Sequence, residues 1–317
     1  MIMPPHKLKE KFPLKGEEFA KRAYDFALDP NQNSLKRILD GAQSYGETPP
    51  LLGIFNDIPW HQFREDEAQI WAKTGFSFVI NDAEHCQIEG WYGKDQNRSL
   101  SRLGLLPVQR LPREALSSHG DAYQLGARAT MKPYGTTFEE ARDYFECINF
   151  PIPGKATAHN RGAYIRRLSD RTTTFTPESL LKAETETQGW IQFETAEYIL
   201  NLDLRDRVLD LMQAQDKNKA CGFVGPFDLV LREGEISDLD KSIDDLFRAA
   251  TRREIHMGRV VGSGSLKDPK KIEDAMVRAI ENGAKLITLH YLTSDLAEYG
   301  AISVSEPFFR ASERCGF

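Results

Sequence analysis

The sequence predicts an α/β protein closed as a (β/α)8 TIM barrel and preceded by an N-terminal helical extension. Three observations carry that expectation. Eight short runs rich in aliphatic and β-branched residues follow Pro49-Pro50. Stretches of helical periodicity fill several gaps between them. The chain's 317 residues are a length that α/β barrels commonly spend on one domain. Strands that alternate with helices pair in parallel through right-handed crossovers, and eight such units close on themselves.

The extension, residues 1–48, shows two helical stripes: Phe19, Ala23 and Phe26, then Leu35, Ile38 and Leu39 beyond the Asp29-Pro30-Asn31 break. The barrel occupies 49–317. Its expected strands are Leu51 to Asn56, Phe76 to Asp82, Leu106 to Leu111, Arg128 to Pro133, Trp190 to Thr195, Cys221 to Pro226, Arg259 to Ser263 and Leu286 to Tyr291. The clearest helices are Asp66 to Thr74, Thr137 to Ile148, Glu197 to Gln213, Leu239 to Ile255 and Asp268 to Asn282. Two stretches break the pattern. Cys86 to Arg102, with Gly90 and Gly93, reads poorly as a helix, and Asn149 to Phe175 is a long irregular insertion of the kind that is usually functional or mobile.

Composition narrows the function. A net charge of −6 and a pI near 5.7 argue against a broad nucleic-acid face, so small molecules are the expected partners. No run approaches the roughly 20 apolar residues of a membrane span. The Pro- and Lys-rich start lacks the apolar core of a secretory signal, which points to a cytoplasmic protein. Cys86, Cys147, Cys221 and Cys315 stand far apart with no C-x-x-C pair, as reduced thiols do.

A barrel of this type places its site at the C-terminal ends of the strands. Reading off those ends gives Asn56, Asp57, Asp82, His85, Arg110, Glu194 and Asp228. In Asp82-Ala83-Glu84-His85 an acid precedes a histidine by three residues in a turn, so Asp82 can hold one ring nitrogen while the other serves as a general base; a histidine that merely caps the turn is the alternative. Arg110, in an otherwise apolar strand, needs an anion. It suits either a developing oxyanion or an ion pair across the barrel. Glu194 ends an apolar strand and is costly to bury without a positive partner. With Asp228 it suits a hard cation such as Mg²⁺ that keeps open positions, better than zinc; helix capping by either residue is the alternative. Gly262-Ser263-Gly264-Ser265 lacks the phosphate-loop lysine and reads as a flexible loop. Arg161, Arg166, Arg167 and Arg171 read as solvated, and His290 as a core residue.

Five segments lie in order along the chain: Asn-Asp-Ala-Glu-His (81–85), Pro-Val-Gln-Arg (107–110), Gly-Ala-Arg-Ala-Thr-Met-Lys-Pro (126–133) with Thr-Phe-Glu-Glu-Ala-Arg (137–142), Ile-Gln-Phe-Glu-Thr (191–195) and Gly-Phe-Val-Gly-Pro-Phe-Asp-Leu (222–229). Together they resemble the HpcH/HpaI aldolase and citrate lyase family over about residues 50–297. Within it the sequence is most similar to the 2-oxo-acid aldolases, and the long N-terminal extension is similar to that of the macrophomate synthase type. The resemblance implies a metal-dependent carbon-carbon lyase. Mg²⁺, with Mn²⁺ or Co²⁺ as substitutes, is held by Glu194 and Asp228. Pyruvate or oxaloacetate is bound through Gln192, Gly225, Phe227 and Asp228, with Arg110 on the enolate oxygen and the Asp82/His85 dyad moving protons. It also implies an aldehyde or other acceptor and a homo-oligomer, a hexamer or a dimer with an exchanged last helix. The alternative within the family decarboxylates oxaloacetate and joins the enolate to a pyrone-type acceptor. A non-catalytic barrel used for binding is the rival from outside it. Departures from the family's pattern are the polar stretch Gln213 to Lys219, the segment Leu289 to Ser294 and Lys132.

Overall fold

The computed structural model describes residues 50–56, 63–85, 90–112, 122–123, 126–149, 187–215, 219–225, 229–231, 238–261, 268–291 and 295–317. Eight parallel strands close in sequence order, each paired with the next and β8 with β1. They are β1 (Leu51–Asn56), β2 (Phe78–Asp82), β3 (Leu106–Arg110), β4 (Ala129–Lys132), β5 (Gln188–Phe193), β6 (Ala220–Val224), β7 (His256–Val260) and β8 (Ala284–Tyr291). The described helices are α1 (Glu65–Lys73), α2 (Gly90–Arg102), α3 (Phe138–Ile148), α4 (Ala196–Ile199), α5 (Leu202–Gln213), α6 (Leu239–Thr251), α7 (Pro269–Glu281) and α8 (Asp295–Arg314). This is the (β/α)8 barrel that the strand-helix alternation predicts. The N-terminal extension and the insertion expected over Asn149 to Phe175, apart from Asn149 itself, lie outside the described residues, as do Cys86 and the Gly262 to Ser265 loop. No described helix is long and apolar enough to cross a membrane.

Alternation along each strand sorts side chains between the barrel interior and the surrounding helices. The interior holds Phe55, Phe78, Ile80, Val108, Met131, Trp190 and Phe223, all buried. Four of these are large aromatics; Trp190 stacks on Phe223 at 6.2 Å between centroids and meets Phe78 edge-on at 5.7 Å. Glycines make the room. A Cβ at Gly53 would fall 2.2 Å from the Phe78 ring, and one at Gly258 would fall 2.5 Å from Phe223. The opposite face packs against helix stripes such as Ile243, Leu246 and Phe247 of α6 and Ile272, Met276 and Ile280 of α7.

The helices begin where the sequence supplies caps. Thr137 and Glu140 form a capping box at α3, Asn201 accepts from Leu204 N at α5, and Asp268 accepts from two amides at α7 ahead of Pro269. The Asn201 cap splits the expected Glu197 to Gln213 helix into α4 and α5. Strand β7 starts three residues earlier than expected, because His256 and Gly258 hide an otherwise buried run.

The larger correction is α2, a full helix where the composition reads as irregular. Its described buried positions include Gln96, Asn97, Ser99 and Leu100, so the face turned to the barrel is mainly polar and the usual apolar period is missing.

At the other end of the barrel, α8 packs on α7 of its own chain. Arg310 and Arg314 both bond Glu273, and Arg314 also bonds Asp274. Beside this contact Lys285 lies under the Phe317 ring, 4.5 Å from its centroid. Burial pulls its pKa down to about 8, while Cys315 works the other way. Between pH 8 and about 10.5 the unfolded chain therefore binds more protons at this lysine than the folded one, and stability rises with pH. Relative to Lys285→Met, the parent is expected to gain on the order of 1–2 kcal/mol from pH 7 to pH 10, discounted for partial solvent screening. Cys315, pushed up by burial and pulled down by Lys285, is coupled to this lysine, so both proteins carry Cys315→Ala in the comparison. Urea denaturation at the two pH values measures the difference, and a constant difference would refute it.

Candidate active site

The inward alternation that fills the barrel with apolar side chains turns polar at the C-terminal strand ends. Asp82 follows Phe78 and Ile80, Arg110 follows Leu106 and Val108, and Gln192 follows Trp190. All three are at most 5% exposed.

Asp82 is the organising group. Its Oδ1 accepts from the Glu84 and His85 amides at 2.9 and 3.4 Å, an Asx turn that folds the chain back after β2. That turn brings His85 Nδ1 to 2.9 Å from Asp82 Oδ2. Neighbouring β3 delivers Arg110, whose Nε donates to Asp82 Oδ1 at 2.9 Å and whose Nη2 donates to Oδ2 at 2.6 Å. The same Nη2 lies 2.7 Å from His85 Nδ1, and Nη1 is 3.1 Å from Glu84 Oε2. The guanidinium rests over Phe55, 4.7 Å from the ring centroid. Burial pushes the Asp82 carboxyl up, but the hydrogen bond and charge of Arg110 outweigh it and hold it below the usual range. Burial lowers Arg110, and Asp82, Glu84 and Glu194 more than restore it.

Glu194, 2% exposed, sits one residue past β5. Its Oε2 accepts from Gln192 Nε2 at 2.5 Å, and its Oε1 from the Tyr134 amide at 2.6 Å. Tyr134 follows β4 with φ 52°, a left-handed backbone rare outside glycine, and this is the residue whose amide meets the carboxylate. Capping of α4 falls to Thr195, whose hydroxyl accepts from Tyr198 N and donates to Gly135 O. Glu194 is thus released from the capping role that the sequence also allowed. Its charge reaches Arg110, so the two halves of the site face one another electrostatically.

Of the residues expected from sequence, Asp82, His85 and Arg110 form one hydrogen-bonded group, and Glu194 and Gln192 form a second, with Gly225 beside them. Phe227 and Asp228 lie outside the described residues. Lys132 is 2% exposed and shares the alternation of Thr130, whose hydroxyl meets Tyr144 of α3; it belongs with the helix-facing side chains.

Sequence reasoning missed three participants: Glu84 as a second carboxylate on Arg110, the Tyr134 amide, and a chain of carboxamides beneath the strand ends. In that chain Asn56 donates to Asn81, Asn81 to Asn97 and Asn97 to Gln109, while Gln96 also donates to Asn81. All five are at most 5% exposed, and Asn81 and Gln109 immediately precede Asp82 and Arg110. The adjacent Gln96 and Asn97 of α2 were the available signal. Asn97→Leu strands a donor on Asn81 and an acceptor on Gln109, so a loss of about 2–4 kcal/mol is expected in chemical denaturation; a loss below about 1 kcal/mol would show that these contacts contribute little net stability.

Two groups of donors could meet a cation. Asp82, Glu84 and His85 bring donor atoms within 4.8 Å of one another, but the Arg110 guanidinium already lies against all three and is the cation they meet. The Glu194 side fits a hard ion better. Gln192 Oε1 is buried and accepts no hydrogen bond among the described residues, next to a buried carboxylate. Gly225 lets the Gln192 side chain approach the backbone closely, since a Cβ there would fall 2.7 Å from Gln192 Nε2 and 3.8 Å from Glu194 Oε2. An all-oxygen set of this kind suits Mg²⁺.

No protein-family model matches the chain. An HpcH/HpaI aldolase of Desulfitobacterium hafniense superposes with a TM-score of 0.65 at 19% identity, covering 86% of this chain and 96% of that one. The fold is that of the HpcH/HpaI aldolases. Macrophomate synthase shares it, with a TM-score of 0.61 at 18% identity over 89% of this chain and 92% of its own. In sequence the chain is similar to the hydroxypyruvate/pyruvate aldolase of Roseovarius nubinhibens, 25% identical over 221 residues, or 66% of this chain and 77% of that protein. Against this HpcH/HpaI-type barrel, the polar groups described above occupy the strand ends where such barrels carry their sites.

Proposed function

We propose that this protein is a divalent-metal-dependent carbon-carbon lyase that acts on 2-oxo acids through a pyruvate-type enolate. The observation that carries the proposal is the presence, at the C-terminal strand ends of one barrel, of an Asp-His-Arg group and of a buried glutamate beside a carboxamide oxygen that accepts no hydrogen bond among the described residues. The similarity to a hydroxypyruvate/pyruvate aldolase supports the substrate class.

Glu194, with Asp228, would hold the cation, which when bound supplies Lewis-acid polarisation of the 2-oxo group. The remaining work belongs to side chains. Arg110 donates N–H to the oxygen on which charge develops, in a pocket mouth where buried neighbours strengthen the interaction. His85 takes the proton of a 4-hydroxyl during aldol cleavage, and Asp82 fixes the imidazole. Gln192, Gly225 and the backbone near Phe227 orient the substrate carboxylate.

The test is pyruvate release from a 4-hydroxy-2-oxo acid and, separately, from oxaloacetate. Arg110→Lys keeps a charge but loses the planar fork, so turnover in both reactions is expected to fall by about 10²-fold or more while Mg²⁺ binding is little changed. Absence of pyruvate from both substrates would refute the proposal. Loss of metal from Arg110→Lys as severe as from Glu194→Gln would show Arg110 to be structural.

A further inference from the structure

One nitrogen in the site has two partners that require opposite states of it. His85 Nδ1 lies 2.9 Å from Asp82 Oδ2 and 2.7 Å from Arg110 Nη2. A carboxylate oxygen only accepts and a guanidinium nitrogen only donates. Nδ1 therefore carries a proton if it serves Asp82 and a lone pair if it serves Arg110, never both. Asp82 Oδ2 already receives Arg110 Nη2 at 2.6 Å, and Oδ1 receives Nε and two amides, so this carboxylate is satisfied without the imidazole. Arg110 has the shorter contact and holds Nδ1 as an acceptor. The proton of the neutral ring is then on Nε2, and Nε2 has no lone pair to act as a base.

We propose that Arg110 sets the tautomer of His85, so that the histidine becomes a competent base only when the 2-oxo oxygen of a bound substrate draws the guanidinium away from Nδ1. This gating presupposes the enolate chemistry proposed above. When Nη2 turns to the substrate oxygen, Nδ1 takes a proton from solvent and donates it to Asp82 Oδ2. Nε2 releases its own proton to solvent and gains the lone pair. The ring stays neutral and the exchange balances; the His85 side chain, 61% exposed, has water to carry both protons. The 2-oxo acid thus arms the base by being bound, and an empty site holds no free imidazole lone pair at Nε2.

The imidazole ring nitrogens report the tautomer directly in two-bond ¹H–¹⁵N correlation spectra. Spectra are recorded at pH 8.5, with the His85 signals identified by their loss in His85→Gln. The ligand-free protein is expected to show Nε2–H. Addition of Mg²⁺ and oxalate, a planar dianion that presents two oxygens as a 2-oxo acid enolate does, is expected to convert it to Nδ1–H. Arg110→Met, which removes every donor, is expected to show Nδ1–H with no ligand present. Nδ1–H in the ligand-free parent, or Nε2–H retained in Arg110→Met, overturns the gating. Failure of oxalate to bind by calorimetry counts against the lyase reading instead, and the comparison of the two ligand-free proteins still decides the tautomer.

Discussion

Incubation with EDTA is expected to abolish pyruvate release, and Mg²⁺, Mn²⁺ or Co²⁺ is expected to restore it. The magnitude follows from the work assigned to the ion. Polarising the 2-oxo group contributes several kcal/mol, and about 4 kcal/mol corresponds to roughly 10³-fold in rate. Gln192 lies in β5 and Glu194 one residue past it, and the Tyr134 amide and the Gln192 side chain each bond one oxygen of the carboxylate. Glu194→Gln preserves the shape but removes the charge, so it is expected to lose the metal response with little change in circular dichroism. Full activity in EDTA-treated protein would exclude the metal role.

His85→Ala is expected to damage two reactions unequally. Aldol cleavage must remove the 4-hydroxyl proton, and loss of a general base typically costs about 10²- to 10⁴-fold. Oxaloacetate decarboxylation has no such proton to remove and needs only an electron-accepting carbonyl, so its loss is expected to be far smaller. Asp82→Asn is expected to fall between, because it removes the charge that both Arg110 and the imidazole meet. Equal losses in both reactions at unchanged metal occupancy would mean that His85 positions substrate and moves no proton.

The barrel was legible because buried parallel strands read as short apolar runs, and β1 matches its expected limits residue for residue. Asp82, Arg110 and Glu194 stood out because each interrupts or ends such a run with a charge, and His85 because it follows Asp82 by three residues in a turn. Helix α2 was not, since its described buried face is largely Gln96, Asn97 and Ser99, and a search for apolar periodicity passes over buried carboxamides. Nor was Glu84 distinguishable from a solvated turn residue until β3 placed Arg110 Nη1 against it. The Tyr134 amide is a backbone group, and side-chain chemistry along a sequence does not reveal it.

The pairing of β1 with β8 has a consequence for how the chain is made. Leu51 to Asn56 find their register partners in Leu286 to Tyr291, the last strand to leave a ribosome. Until then one side of β1 is an open edge of unpaired backbone groups, the kind of template that recruits other chains. Cotranslational folding can build β1 through β7 as a curved sheet but cannot seal it. Helix α8, which clasps α7 through Arg310 and Arg314, emerges later still. Truncation of the nascent chain before β8 would leave an aggregation-prone sheet rather than a smaller closed barrel.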